Sequence, residues 1–548
     1  MELLNNYLPC AEFESYEDFK ENFSIKVPEA FDFAKDIVDR WAEIDPDKLA
    51  LLYCTDADGD ERSFTFSDIS KLSKKAASYF SGLGIKKGDR VLTLLRRRWE
   101  YWICAVALHR LGVVLVPSSI QLTEKDIIYR IDSCEAKILI AMDDSYVIEQ
   151  ISDLKDKCRS LSEIIIAGDK NIEGFRSFNR EFMSCEMFEE KTDLSNDEEM
   201  IIYFTSGTSG MPKMAVHDRT YPLGHIMTAR YMQRVQNGGL HLTQADSGWA
   251  KFGWGNIYGQ WICGSAVLAY DPERFSPGSM LASIKKHRPT SLCIPPTMYR
   301  FLLHEDLKKE HVESIKWYST AGEPLSGKVN SEFYNITGHY IHEGYGQSEG
   351  TPITCSFEWC DVRPSSMGKP SPLYETGLIH PDGTPCKPGE EGEVVIYTKG
   401  RRQLGLLKYY SVNGNKYNPY EDGVYHTGDL AYEDEEGYLW YLSRADDMIK
   451  CSGYRIGPFE IESVLNTHPA VKESAIVGCA DEIRGQVVCA VIKLSDEYTA
   501  TEQLTKELQK FVKENTAPYK YPRIIKYVNE LPKTTSGKII RNAVRKII

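Results

Sequence analysis

Along the N-terminal part of the chain, apolar positions alternate between helical spacing and short continuous runs. Residues 67–83 and 99–111 place apolar side chains at helical spacing, whereas 90–95 and 113–117 are short apolar runs typical of buried strands. The alternation continues beyond residue 136. Strands that alternate with helices in this way predict βαβ units and a largely parallel sheet.

The pattern changes twice towards the C-terminus. Between 368 and 441, short apolar runs are interrupted by PDG, PGEEGE and DEEGY, which predicts a small antiparallel, barrel-like subdomain. After Arg444 the pattern predicts a compact α+β unit. We therefore predict an α/β protein with two domains. The N-terminal domain, 1–445, is expected to be large, with several subdomains of parallel α/β sheets plus a small β-barrel, and the C-terminal α+β domain, 446–548, to be smaller.

The composition is that of a globular protein. Of the 548 residues, 42% are hydrophobic and 26% are charged, and the formal net charge is −14. An acidic chain argues against nonspecific binding of nucleic acid. The 14 cysteines show neither CxxC pairs nor a zinc-like Cys/His spacing, so we expect reduced thiols and no disulfide framework.

The N-terminal segment, MELLNNYLPCAEFESYEDFKENF, is acidic, and its first basic residue is Lys20. It lacks the basic start and apolar centre of a secretory signal and the Arg-rich character of a mitochondrial presequence. No run approaches the roughly 20 apolar residues of a membrane span. We expect a cytoplasmic protein without stable membrane insertion.

The most informative stretch is IIYFTSGTSGMPKMAVH, residues 201–217, where an apolar strand leads into a loop of Thr, Ser, Gly, Pro and Lys. Gly207 and Gly210 permit a tight turn that gathers backbone N–H groups around an anion, and Lys213 adds a cation. The stretch therefore indicates phosphate binding. It does not fit GxxxxGK[ST], because two residues separate the last glycine from the lysine, so it is not a P-loop NTPase. A plain surface loop is the alternative interpretation of such a cluster.

This stretch and five further segments, in the same order along the chain, resemble the motifs of the adenylate-forming enzymes. That family comprises acyl-CoA synthetases, luciferases and the adenylation domains of peptide synthetases. Three more segments, DSGWAKFGWG, CSGYRIGPFEIE and TAPYKYPR, resemble the medium-chain acyl-CoA synthetases most closely. The five family segments are STAGEPL from Ser319, HEGYGQSEGT from His342, YHTGDL with Asp429, YLSRADDMIK with Arg444, and LPKTTSGKIIR with Gly537 and Lys538.

The resemblance implies an ATP-dependent, AMP-forming carboxylate–CoA ligase with two half-reactions. A carboxylate and ATP, with magnesium, give an acyl-adenylate and pyrophosphate, and the thiol of CoA then attacks the adenylate and releases AMP. The C-terminal domain is implied to be mobile, with its hinge at Asp446. One orientation would bring Lys538 to the site, and the other would bring the face that contains Gly453.

The same motifs assign residues to ATP. Tyr345 would lie against the adenine ring, while Asp429 and Arg444 would bind the ribose hydroxyls. An ionised carboxylate suits that role because it accepts two hydrogen bonds at once. The implied ATP-binding residues are Gln121, Thr205, Ser206, Gly207, Thr208, Ser209, Gly210, Met211, Pro212, Lys213, Gly322, Glu323, Pro324, Glu343, Gly344, Tyr345, Gly346, Gln347, Ser348, Asp429, Arg444 and Lys538.

Three of the charged residues are implied to act in catalysis. Glu349 would bind the magnesium, a role that suits a carboxylate bridging to phosphate oxygens. Lys538 would place an ammonium against the carboxylate and the α-phosphate as charge develops on the phosphoryl oxygens. Lys213, together with magnesium, would stabilise the leaving pyrophosphate. Taken alone, a Glu after a glycine turn is more often a solvated acid, and a lysine close to the end of a chain is usually a surface charge.

The C-terminal domain is implied to bind CoA. Gly453 suits a pantetheine arm that passes close to the backbone, because a Cβ would obstruct it. The three cations of the set would contact the CoA phosphates, although each is equally explained as a surface charge. The implied CoA-binding residues are Ser452, Gly453, Tyr454, Arg455, Arg484 and Lys513.

The acyl pocket is implied to take its walls from Trp249, Lys251, Phe252 and Trp254. Trp254 would limit the depth of the pocket, which favours short, branched, medium-chain or aromatic acids over long fatty chains. The alternative interpretation of this Trp/Phe cluster is ordinary core.

One motif departs from the family pattern. The common form has Thr on both sides of the metal-binding Glu, whereas this chain has Ser348 and Gly350, with Thr351 one place further along. Ser348 keeps the hydroxyl, so nucleotide binding should survive. Gly350 would loosen the loop or enlarge the acyl pocket.

Two other functions are compatible with the sequence. An adenylating enzyme of this type can load a carrier protein instead of free CoA, although the chain contains no fused carrier domain. A nucleotide-binding protein without turnover is the second alternative. The presence of Lys538, Glu349 and Lys213 argues against it, because a binding protein does not need an adenylation lysine.

Overall fold

A computed structural model of the chain describes residues 3–189, 192–205, 212–451, 454–481, 485–533 and 538–548. We number its strands and helices in chain order. The strands are β1 Leu49–Cys54, β2 Glu61–Thr65, β3 Arg90–Leu94, β4 Val114–Pro117, β5 Ile138–Met142, β6 Glu163–Ala167, β7 Arg176–Ser177, β8 Glu199–Thr205, β9 Lys213–Asp218, β10 Leu240–Thr243, β11 Ala266–Tyr270, β12 Ser291–Cys293, β13 Trp317–Ala321, β14 Ile341–Gly346, β15 Pro352–Cys355, β16 Lys369–Pro370, β17 Glu375–Ile379, β18 Glu391–Tyr397, β19 Tyr409–Val412, β20 Asn415–Tyr417, β21 Val424–Glu433, β22 Leu439–Arg444, β23 Ile449–Cys451, β24 Tyr454–Ile456, β25 Val471–Asp481, β26 Gly485–Leu494 and β27 Ile524–Tyr527.

The helices lie between these strands. Two segments, Phe33–Asp39 and Met227–Met232, are π-helical. The α-helices are α1 Tyr16–Asn22, α2 Arg40–Ile44, α3 Phe66–Gly82, α4 Trp99–Arg110, α5 Glu124–Cys134, α6 Ser145–Ile151, α7 Leu154–Lys157, α8 Phe178–Glu181, α9 Tyr221–Ile226, α10 Ala250–Asn256, α11 Tyr258–Ile262, α12 Pro277–His287, α13 Pro296–His304, α14 Gly327–Thr337, α15 Pro458–Leu465, α16 Glu502–Asn515 and α17 Arg541–Arg545.

Local sequence signals account for several of the boundaries. Thr65 caps α3, and its hydroxyl and the Asp68 carboxylate form a reciprocal capping box. Gly338 ends α14 with a φ of 78°, a backbone conformation that glycine adopts without a Cβ clash. The predicted helix at 99–111 is α4, which is buried on every side, as expected for a helix without a polar face.

The first large sheet has nine strands in the order β16-β15-β14-β13-β12-β10-β11-β1-β2. Its interior pairs, from β1 to β14, are parallel, and only the edge strands β2, β15 and β16 are antiparallel. The carboxyl ends of the parallel strands therefore lie along one edge, where ligands gather in such sheets.

The second large sheet also has nine strands, in the order β20-β19-β9-β8-β4-β3-β5-β6-β7. Strands β8, β4, β3, β5, β6 and β7 pair in parallel, which confirms the predicted parallel architecture. Strand β9 turns back antiparallel to β8, and β19 extends the sheet beyond it. The glycine-rich stretch thus joins two neighbouring strands.

The region from 368 to 441 is antiparallel, as predicted. Strands β17, β18, β21 and β22 form a four-stranded sheet around a small core of their own. The hairpin of β19 and β20 leaves this region and joins the second large sheet, because β19 pairs with β9. The pairing was not predicted, since it joins segments far apart in sequence.

The C-terminal part is smaller and mixed α+β. Its sheet has the order β24-β23-β26-β25, with β27 parallel to β26, and two apolar clusters cover its faces. Cys479 and Cys489, on the neighbouring strands β25 and β26, form a disulfide, whereas the other cysteines are not disulfide-bonded. The expectation of reduced thiols therefore fails for this one pair, which strand pairing brings together. Among the described residues, no helix has the length and apolarity needed to cross a membrane.

Candidate active site

The glycine-rich stretch connects β8 to β9. Thr205, the last residue of β8, lies opposite Lys213, the first residue of β9. The carbonyl of Pro212 accepts a hydrogen bond from the Tyr129 hydroxyl at 2.8 Å, which attaches the end of the loop to α5. Ser206, Gly207, Thr208, Ser209, Gly210 and Met211 lie outside the described residues.

Gln121 lies in the turn after β4. Its side chain is exposed, and its backbone N–H donates to the Ser119 hydroxyl at 3.3 Å. Strand β4 pairs in parallel with β8, so the turn after β4 and the start of the glycine-rich stretch lie at the same edge of the sheet, where the strands have their carboxyl ends. A role for Gln121 in ATP binding stays a prediction.

The segment after β13 supplies the predicted adenine loop. Gly322 has a φ of 97°, so the turn at this point favours glycine. The Glu323 carboxylate accepts a hydrogen bond from Thr297 at 3.0 Å and points towards α13, with Pro324 next in the chain. The carbonyl of Ala321 accepts a hydrogen bond from the Lys251 ammonium at 2.7 Å.

Strand β14 carries the second nucleotide motif. Glu343 is buried with one hydrogen bond, from the Leu325 N–H at 3.3 Å, and burial raises its pKa to about 8. Gly344 and Gly346 are tightly packed, since a Cβ on Gly346 would lie 2.6 Å from Cη2 of Trp254. The carbonyl of Ser348 accepts a hydrogen bond from Nε2 of His217 at 2.9 Å.

The end of the site that is predicted to bind the ribose is formed around Asp429. The Tyr345 hydroxyl donates to Oδ2 of Asp429 at 2.7 Å, and the Gln347 amide donates to the same oxygen at 2.6 Å. Arg444, opposite Asp429 in the β21–β22 pair, reaches Oδ1 at 3.3 Å. Burial raises the pKa of Asp429, while the charges of Arg444 and Lys538 lower it. The structure therefore brings Tyr345, Gln347, Asp429 and Arg444 together as the motifs imply.

The end of the site that is predicted to bind the phosphates is formed around Glu349. Its Oε1 accepts a hydrogen bond from the Tyr410 hydroxyl at 2.9 Å, and within the described residues Oε2 accepts none. The Lys213 ammonium lies 5.2 Å from the centroid of the same tyrosine ring. An acid and a cation thus meet at one aromatic side chain.

This donor set fits magnesium. Magnesium prefers oxygen ligands and is commonly held by one or two carboxylates plus substrate phosphates. Glu349 offers one carboxylate with an oxygen to spare, and among the described residues no group of three or more metal-binding side chains forms an all-protein cage. Phosphate oxygens and water would therefore complete the coordination.

Lys538 is far from Asp429 and Lys251 in the sequence, but in the folded chain its charge reaches both of them. Its ammonium is exposed, and its charge lowers the pKa of both Asp429 and Lys251. The C-terminal part therefore presents its predicted catalytic lysine to the ribose end of the site. Gly537, next to it, lies outside the described residues.

The four residues of the predicted acyl pocket occupy different surroundings on and just before α10. Trp249 and Lys251 are partly buried, and burial lowers the pKa of Lys251. Phe252 is fully buried against the rings of Tyr101 and Trp102, so it packs into the core. Trp254 packs against the backbone of β14 at Gly346.

The predicted CoA residues are only partly described. Ser452, Gly453 and Arg484 lie outside the described residues, and of Tyr454 and Arg455 only the backbone, in β24, is described. Lys513, on α16, is exposed, and its ammonium lies 4.0 Å from the centroid of the Tyr521 ring. The CoA face stays a prediction.

Asp446, the predicted hinge, lies in the exposed turn between β22 and β23. Its carboxylate is 3.8 Å from Nε of Arg444. The next residue, Asp447, pairs instead with Arg545 of α17 at 2.7 Å and with Arg541 at 3.4 Å. Asp446 thus contacts the strand before the turn, whereas Asp447 contacts helix α17 of the C-terminal part.

Sequence reasoning did not find Tyr410, Tyr425 or His217. The Tyr425 hydroxyl donates to Oε1 of Gln347 at 2.7 Å, and Tyr410 and His217 contact Glu349 and Ser348 as described above. All three belong to β strands, and strand pairing places them against the nucleotide motifs. Only the position of His217, at the end of the strand that follows the glycine-rich stretch, was a signal in the sequence.

Residues 38–405 match the model of the AMP-binding enzyme family, and residues 460–538 match the AMP-binding enzyme C-terminal domain. The chain belongs to the AMP-binding enzyme family. The acyl-coenzyme A synthetase ACSM3 proteins of Pongo abelii and Homo sapiens are each 38% identical to it over 544 residues, which cover 97% of this chain and 92% of theirs.

Two solved structures of family members are similar along nearly the whole chain. The anthranilate CoA ligase AuaEII, in complex with anthranoyl-AMP, has a TM-score of 0.86 at 27% identity and covers 95% of this chain and 98% of its own. An acyl-CoA synthetase of Brucella canis has a TM-score of 0.74 at 26% identity, with coverage of 98% and 99%. The predicted fold, enzyme class and use of ATP and CoA are confirmed by these matches.

Proposed function

We propose that the chain is an ATP-dependent, AMP-forming acyl-CoA synthetase that activates a short, branched, medium-chain or aromatic carboxylic acid. The observation that carries the proposal is the meeting of charged groups at one site: Lys213 and Glu349 both contact Tyr410, Asp429 pairs with Arg444, and Lys538 is close enough for its charge to lower the pKa of Asp429. These groups match the phosphates, the ribose and the reacting phosphorus of ATP.

In the first half-reaction, Asp429 holds the ribose hydroxyls, and Tyr345, whose hydroxyl is bonded to Asp429, lies against the adenine. Lys538 faces the α-phosphate as the carboxylate attacks, and its ammonium stabilises the charge that develops on the phosphoryl oxygens. Lys213 stabilises the leaving pyrophosphate. Magnesium would be held by Glu349, and when bound it supplies positive charge to the phosphate oxygens.

For the second half-reaction we propose that the C-terminal domain, from residue 446, rotates at Asp446 and exchanges Lys538 for the face around Gly453. The contacts at this turn support a boundary here, because Asp446 pairs with Arg444 whereas Asp447 pairs with Arg541 and Arg545. Arg455, Arg484 and Lys513 are the proposed contacts of the CoA phosphates.

The proposed acid is limited in size by Trp254. This ring packs against Gly346 of the nucleotide motif. In our proposal the substrate enters beside Lys251, and the Trp254 ring then blocks a long acyl chain. The relatives are named for acyl groups, and AuaEII for anthranilate, an aromatic acid. We propose a cytoplasmic location, whereas the ACSM3 relatives are named as mitochondrial.

The test is the release of AMP and pyrophosphate with ATP and magnesium across a panel of short, medium-chain, branched and aromatic acids, with and without CoA. We expect at least one acid to give AMP in a CoA-dependent manner. Pyrophosphate release that CoA does not accelerate would point instead to a carrier protein as the acceptor. Binding of ATP without either product for any acid would show a protein that binds nucleotide but does not turn it over.

A further inference from the structure

Tyr410 contacts both charged groups at the phosphate end of the site, although it belongs to none of the sequence motifs. Its hydroxyl donates to Oε1 of Glu349 at 2.9 Å. Its ring lies beneath the Lys213 ammonium, 5.2 Å from the centroid, within the range of a cation–π contact. One half-buried side chain therefore sets the positions of an acid and a cation that come from different segments.

The strand pairing explains why this residue is in place. Strand β19 runs antiparallel to β9, and Tyr410 lies opposite Ala215, two residues after Lys213. Side chains alternate between the faces of a strand, so Tyr409 points to the other face, where its hydroxyl bonds Glu199. Two adjacent tyrosines thus each donate to a glutamate, and only one of those glutamates is in the nucleotide site.

Tyr410 lies beside a chain of hydrogen bonds that runs from Tyr425 to Asp429, but the two tyrosine hydroxyls share no hydrogen bond, because each donates its single proton elsewhere. The Tyr410 and Tyr425 hydroxyl oxygens are 3.5 Å apart, and Tyr425 donates to Oε1 of Gln347 at 2.7 Å. Gln347 in turn donates to Oδ2 of Asp429 at 2.6 Å. Burial, followed by the charge of Glu349, raises the pKa of both tyrosines, so both hydroxyls keep the protons that they donate.

We propose that Tyr410 is a positioning residue for MgATP. It holds one oxygen of Glu349 so that the other is left for the metal, and it keeps Lys213 above its ring. The inference rests on the proposed function, because it assumes that Glu349 binds magnesium. A hydrogen bond to a charged group is among the stronger ones in a protein, so its loss should be measurable.

The test compares Tyr410→Phe with Tyr409→Phe, a matched control that removes the adjacent hydroxyl from the opposite face. Two quantities are measured against magnesium concentration: the rate of pyrophosphate release, and the increase in Tm that ATP produces. We expect Tyr410→Phe to raise the magnesium concentration at half effect on the order of tenfold in both measurements, as for the loss of one charged hydrogen bond. Tyr409→Phe should leave the magnesium concentration at half effect unchanged.

A second variant separates the two contacts of the ring. Tyr410→Leu also removes the surface beneath Lys213, so we expect it to raise the KM for ATP several-fold beyond the effect of Tyr410→Phe. Thermal scans without nucleotide show whether each variant is folded.

An unchanged magnesium midpoint in Tyr410→Phe, or an equal shift in Tyr409→Phe, would overturn the proposal. A shift in the Tm measurement from a protein that releases no pyrophosphate with any acid would support the positioning role and refute the proposed ligase activity.

Discussion

Burial changes what a carboxyl group contributes at the scale of a single residue. Glu343 belongs to the nucleotide motif, yet its side chain is buried with a single hydrogen bond, and burial raises its pKa from 4.5 to about 8. It is protonated in the folded protein at neutral pH, whereas in the unfolded chain it is ionised. We therefore expect the Glu343 side chain to be uncharged in the folded protein at neutral pH.

The pH dependence of stability follows from this shift. Between about pH 4.5 and pH 8 the folded state holds a proton that the unfolded state has released, so Glu343 lowers the free energy of unfolding as pH rises, by roughly 1.4 kcal/mol per pH unit at most. Glu343→Gln has a side chain that is neutral at every pH, so it should remove this decrease in the free energy of unfolding with rising pH. The difference in Tm between Glu343→Gln and the parent chain should increase from pH 5 to pH 8.

The matched control is Glu332→Gln, an exposed carboxyl on α14. A Tm difference for Glu343→Gln that is the same at pH 5 and pH 8 would show that this carboxyl is ionised in the folded state.

Helix α10 determines the size of the proposed acyl pocket at the scale of secondary structure. Its residues alternate between the core, where Phe252 packs on α4, and the site, where Lys251 and Trp254 contact the ends of β13 and β14. The glycine at position 346 allows the Trp254 ring to lie against β14 because any Cβ would overlap it. We therefore propose that the depth of the pocket depends on the Trp254 ring and on Gly346.

Replacing this ring should change chain-length preference. Trp254→Ala removes the ring beneath Gly346, so longer linear acids should gain in kcat/KM by about fourfold for each additional methylene that is newly buried, from ~0.8 kcal/mol per CH₂. The variant should also be less stable by about 3–5 kcal/mol, as for other Trp→Ala changes in a core. Measuring kcat/KM for linear acids of increasing length checks the first expectation, and denaturant unfolding checks the second.

Trp440→Ala, in the antiparallel sheet, removes a tryptophan that stacks on Tyr432 and that is not among the predicted pocket residues, so it should leave the order of preferred acids unchanged. If Trp254→Ala keeps the parent chain's preference, Trp254 does not limit the pocket.

Secondary structure and motif placement could be predicted from the sequence, whereas long-range pairing could not. Helix α4 and strand β4 begin and end within one residue of their predicted bounds, because short apolar runs and helical spacing are local signals. The addition of β19 to β9, and with it the contact of Tyr410 with Glu349, depends on strands far apart in sequence. The burial of Glu343 likewise depends on how α14 and β13 pack, and this packing cannot be predicted from the motif that contains Glu343.

Segments from three sheets meet at the site at the scale of the whole molecule. The second large sheet contributes Lys213, the first contributes Tyr345, and the four-stranded sheet contributes Asp429. Lys538 comes from the C-terminal part, whose own clusters form a separate core. The first half-reaction therefore depends on how this part is docked.

Removing this lysine should affect one half-reaction only. Lys538→Ala should lower adenylation of the acid on the order of 10²-fold or more, because it removes the cation that faces the developing charge. Thioester formation from a supplied acyl-adenylate and CoA should be spared. Lys546→Ala, an exposed lysine also near the end of the chain, is the control and should leave both steps intact. Equal loss of both steps in Lys538→Ala would refute the use of two orientations.

The orientation in which the charge of Lys538 reaches Asp429 also constrains the order in which the reactants arrive. In the proposed mechanism the orientation that uses Lys538 and the orientation that binds CoA exclude each other, so the thiol of CoA has no acyl group to attack before the acyl-adenylate has formed. Pyrophosphate should then depart before the third substrate joins. Initial velocities measured against ATP at several fixed CoA concentrations should give parallel lines in a double-reciprocal plot, the signature of a ping-pong sequence.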